Sequence, residues 1–131
     1  MRKCDMLIGA AVAALLLAPL PVMAADPGGE IVTAATHADL ASKASDLAGT
    51  QMHLHHALNC LVGPGGTGFD AKNMNPCANS GNGAIPDTAD AAKKKALQEA
   101  ATTVSAGIVA TDIKTAQKDA NDAATALKAI K

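Results

Sequence analysis

The sequence predicts an all-α protein: an antiparallel helical hairpin of two long helices joined by a disulfide-held loop. Three observations carry this. Apolar residues recur at alternating spacings of four and three over 30–62 and again over 87–131, the periodicity of a buried helix face. The intervening stretch 63–86 is rich in Gly, Asn and Pro, which are turn formers. Cys60 and Cys77 flank most of that stretch. Alanine supplies 31 of the 131 residues, so the core is expected to come from small side chains on closely approaching helices.

Each element follows in turn. Residues 1–24 read as a secretory signal peptide: Arg2 and Lys3, an apolar run from Met6 to Ala18, then small residues around Val22-Met23-Ala24. The run of 13 is too short for a membrane span of about 20 residues. The rest, 25–131, forms one helical domain with nine Lys and eleven acidic residues, a net of −2. No membrane span is expected after cleavage, and the location implied is periplasmic or secreted.

In the first helix, 30–62, Leu40, Ala44, Leu47, Gln51, Leu54, Leu58 and Leu61 form one narrow stripe. Gly63-Pro64 ends it. With Cys4 in the leader, Cys60 and Cys77 remain, and an oxidising compartment pairs them. The bridge holds a loop otherwise unusually long for a small domain.

Asp87 or Thr88 is the expected cap of the second helix. Leu97, Ala101, Val104 and Ile108 make one stripe; Val109, Ile113, Ala116, Ala120, Ala123, Leu127 and Ile130 make another. The two are out of phase by one residue near Gly107, which rotates the buried face by about 100°. Either one rod changes phase there, or the helix breaks between Gly107 and Thr111 and a three-helix bundle results. Two helices alone bury little core, so a hairpin is expected to form a homodimer or to pair with another exported protein through its Leu/Ala seam.

Composition excludes several functions. There is no Trp or Tyr and only one Phe, Phe69, which leaves no platform for stacking bases. The net charge of −1 leaves no duplex-binding patch, so nucleic acid is not an expected partner. Without Cys-x-x-Cys-His there is no covalent haem. No catalytic set stands out, and the chain does not read as an enzyme.

The chemistry candidate is Met52-His53-Leu54-His55-His56. Met52 with His55, His53 with His56, and Met52 with His56 stand three or four apart, the spacings at which helical side chains share a ligand. Imidazole suits copper and zinc, and a thioether adds preference for Cu(I). On a helical wheel Cys60 lies beside His53 and His56, so its bridge to Cys77 is expected to draw the loop over this face, with Met74 as a further loop ligand. His37 extends the apolar stripe three residues before Leu40 and reads as an interhelical hydrogen-bonding residue rather than a ligand.

These Met-x-x-His and His pieces in a small, Ala-rich exported chain resemble small periplasmic metal-binding proteins and silver- and copper-binding proteins with Met-x-x-His motifs. The resemblance covers Met52, His53, His55 and His56 and the overall composition, and it implies soft-metal binding. Those families repeat the motif, whereas this chain has one cluster. The sequence thus points to an exported protein that binds copper or zinc through its His/Met turn. The alternative is a non-catalytic helical interaction module.

Overall fold

A computed structural model describes residues 24–130, so most of the leader assignment, and Cys4 with it, lies outside the described residues. The described residues are all-helical. Their helices are α1 (Pro27–Ser42), α2 (Leu47–Val62), a single turn α3 (Ala84–Asp87), α4 (Ala91–Val109) and α5 (Ile113–Ala129).

The two-helix hairpin is not what forms. The first stripe breaks at 43–46, and the second breaks after Val109. Each long helix starts on an aspartate whose carboxylate accepts from a backbone N–H three residues on. The pairs are Asp26 with Gly29, Asp46 with Gly49, Asp90 with Lys93, and Asp112 with Thr115. Such a cap satisfies one of the orphan donors of a first turn and is worth about 1 kcal/mol. Asp46 and Asp112 therefore give the chain a place to restart a helix in a new direction. The second helical stretch is capped by Asp90 rather than by Asp87 or Thr88. Asp87 instead accepts from the Asn82 backbone N–H, closing the turn around α3.

The four long helices pack in a ring, α1 on α2, α2 on α4, α4 on α5 and α5 on α1. Gln51, early in α2, donates to the carbonyls of Ile108 and Ala110, and Gln117, early in α5, donates to the carbonyl of Ala44. Both tight turns thus lie at one end, and the 63–90 connection lies at the other. The result is an up-down-up-down four-helix bundle within one chain. The premise for dimerisation, a core too small for two helices, does not hold in this arrangement.

The core is built from small residues. Ala34, Ala38 and Ala41 of α1, Ala116, Ala120 and Ala123 of α5, and Leu54, Leu61, Leu97, Val104 and Leu127 are fully or almost fully buried. Side chains that end at Cβ let helix axes approach closely. Leu40, read as part of the seam, is 43% exposed, and Val109 is 75% exposed at the end of α4. Among the described residues no helix is long and apolar enough to cross a membrane.

Cys60 and Cys77 form the expected disulfide, with Cα atoms 5.1 Å apart. Asn59, completely buried, pins the same loop. Its Nδ2 donates to the carbonyls of Asp70, Asn73 and Met74, and its Oδ1 accepts from the Asp70 N–H. Gly63 ends α2 with φ of 67°, and a Cβ there would meet the Asn82 carbonyl oxygen at 1.6 Å. The return strand of the loop lies directly on the helix terminus, which only glycine permits. Replacing both cysteines by alanine is expected to lower unfolding free energy by about 3 kcal/mol, the chain-entropy value for a loop of this size, read from urea denaturation midpoints.

Glu30 is buried in α1 and its Oε1 accepts from the Gly83 N–H at 3.0 Å, while Oε2 has no protein partner. Burial pushes its carboxyl above the usual range against the Gly83 bond, and the charges of Asp87 and Asp26 push it the same way. A carboxyl raised in the folded state binds its proton more tightly there than in the unfolded chain. Its contribution is therefore most favourable below the unfolded value of 4.5 and is lost as pH rises through the folded value. Glu30→Gln is expected to raise the melting temperature at pH 7 and to leave it nearly unchanged at pH 4, as a thermal melt at each pH will show.

Candidate metal centre

The fold-back at 43–46 brings α1 against the His turn of α2. Ala34, His37, Ala38 and Ala41 stand at i, i+3, i+4 and i+7, so His37 shares the face that α1 presents to the bundle. The alanines on either side keep the helices close enough for its ring to meet those of His53 and His56.

One ring nitrogen from each of His37, His53 and His56 lies within 4.8 Å of the others. The Nδ1 atoms of His37 and His53 are 3.4 Å apart. The ring of His56 stands edge-on to both neighbours, with centroids 5.1 Å from His37 and 5.8 Å from His53. His56 is 7% exposed and its Nδ1 has no hydrogen-bond partner; His37 and His53 are half-buried.

Burial disfavours the charged form of two of these rings. Burial holds the imidazole of His37 below its ordinary value, and the neighbouring His56 and His53 add to the effect. Burial also lowers His56, with His53 and His55 contributing. A second proton in the cluster would place like charges together in a poorly solvated site. Neutral imidazoles keep the lone pairs that a metal ion needs.

The spacing is one that could hold a metal ion. Tetrahedral bonds of 2.0–2.1 Å place ligand nitrogens about 3.3 Å apart, close to the His37–His53 separation. The two separations to His56 lie within 4.8 Å.

The sequence-derived candidates divide. His53 and His56 come together, as their i, i+3 spacing implied. His55 points to the other side of α2, its Nδ1 3.6 Å from the Asp70 carboxylate. Met52 and Met74 are 43% and 59% exposed. The loop meets α2 through Asp70 beside His55 and Asn59 and through the Cys60–Cys77 bridge, and it is α1 that brings a further imidazole to His53 and His56. His37 is interhelical, as its place in the stripe implied, but its partner is the His turn itself, which makes it a ligand candidate. The readable signal was the Ala-x-x-His-Ala-x-x-Ala stripe. A continuous 30–62 helix masks it, because His37 then lies along the rod from His53 instead of opposite it.

The group is therefore a cross-helix set of three imidazoles that could hold a metal ion. Comparison of the chain with protein families, with curated proteins and with solved structures gives no match.

Proposed function

We propose that this chain is an exported metal-binding protein whose centre is His37, His53 and His56, with copper or zinc as its metal. One observation carries the reading: three ring nitrogens from two helices gathered within 4.8 Å. An all-nitrogen set of imidazoles suits Zn²⁺ and Cu²⁺. The Cys60–Cys77 bridge supports an oxidising compartment, in keeping with the leader-like first 24 residues.

The bundle supplies a rigid frame, because its ligands sit on helices whose packing is closed within one chain. Two of the three ligands share α2, so the third, from α1, makes binding sensitive to the α1–α2 contact. A bound ion joins those helices and stabilises the fold in proportion to its affinity.

Isothermal titration of the metal-free protein with Zn²⁺ and with Cu²⁺ tests the reading. The expected result is one ion per chain and a raised melting temperature that a chelator reverses. Absence of uptake of either ion near neutral pH overturns it.

A further inference from the structure

We infer that a metal ion held by His37, His53 and His56 keeps one coordination position that no His, Cys, Asp or Glu among the described residues fills, so the centre takes small monodentate ligands and hands its metal on by ligand exchange. The inference rests on the metal reading above and concerns what completes the coordination shell.

The donor inventory supports it. Among the described residues, the group of His, Cys, Asp and Glu atoms that can share one ion ends at three. The other His, Cys, Asp and Glu groups close to the cluster in sequence face other partners. Cys60, one turn beyond His56, is locked in its disulfide and offers no thiolate. His55 faces Asp70 across the helix. Asp39, two residues after His37, accepts from both Lys43 and Lys128. Glu30, two turns before His37, accepts from Gly83 at the far end of α1.

Structural zinc sites fill four places with protein donors, whereas sites that exchange a ligand hold three and leave one. His37 and His53 are only half-buried. With an ion held by the three imidazoles, the open place would take water, and an anion, an imidazole or an acceptor's donor group would exchange with it. Neither step changes an oxidation state.

Cobalt(II), whose visible bands respond to its ligands, is the probe. The full chain with its disulfide formed is loaded with one equivalent of Co²⁺ and titrated with azide, then separately with imidazole. The expected result is a saturable shift of the visible bands with each, while the ion stays bound. A second measurement follows transfer of Zn²⁺ to a chromophoric chelator, whose rate is expected to rise in proportion to chelator concentration. Met52→Leu is the control for a thioether in the fourth place, and it is expected to leave the cobalt spectrum unchanged.

A bound-cobalt spectrum indifferent to azide and imidazole, or altered by Met52→Leu, overturns the open position while the metal reading stands. A transfer rate independent of chelator concentration does the same. Failure to take up Co²⁺, Zn²⁺ and Cu²⁺ alike removes the metal reading and this inference with it.

Discussion

His37→Ala is expected to weaken Zn²⁺ or Cu²⁺ binding by more than about 100-fold, while His55→Ala leaves it almost unchanged. Removing even an outer partner of a ligand costs 10–100-fold, so losing one of three direct donors costs more. The pair of variants separates two geometries. A site confined to the Met52–His56 turn needs His55 and not His37, whereas the cross-helix site needs His37 and not His55. His53→Ala and His56→Ala are expected to match His37→Ala. Competition titration against a chelator of known affinity checks all four. A larger loss from His55→Ala than from His37→Ala would return the centre to the single turn. The metal-free stability of His37→Ala, read by urea unfolding, shows whether the variant still folds; its small Ala-lined surroundings limit the damage.

Asn59→Ala is expected to cost about 4 kcal/mol of unfolding free energy. The side chain is completely buried and joins α2 to three loop carbonyls and one loop N–H. Each lost bond costs about 1 kcal/mol, and a buried backbone group left without a partner costs more. The effect exceeds that of losing the disulfide because the bridge limits the unfolded chain, whereas Asn59 satisfies groups in the folded one. Urea midpoints for Asn59→Ala and for the double cysteine variant should rank in that order. Asn59→Asp retains an acceptor for the Asp70 N–H but turns the three carbonyls toward a charge of the wrong sign, so it is expected to be at least as destabilising as alanine.

Much of this architecture was legible in the sequence, and the part that was not has a physical cause. Helicity showed in the periodic stripes, the bridge in the cysteine pair, and a change of direction near Gly107 in the one-residue phase slip. The turn at 43–46 was hidden because Leu40, Ala44 and Leu47 keep the spacing of four and three straight across it. Periodicity cannot distinguish a continuous helix from two whose register happens to agree. Asp46, with Gly49 at the third helical position, was the signal to weigh against that continuity. The true buried stripe of α1 consists of alanines, and in a chain with 31 of them it does not stand out. That one omission also hid the site. With a rod over 30–62, His37 lies more than four turns of helix from His53; with a fold-back, it lies opposite. The i, i+3 pairing of His53 and His56 needed only local geometry and was readable.

The amides of Gln51 and Gln117 have an effect beyond the topology they mark. They fasten both tight turns through groups that carry no charge, whereas the Lys–Asp and Lys–Glu pairs lie on exposed surfaces where dissolved ions weaken them. Brine should therefore strip away the outer ion pairs and leave the hinges shut, holding the imidazoles at their spacing in media as different as fresh water and seawater.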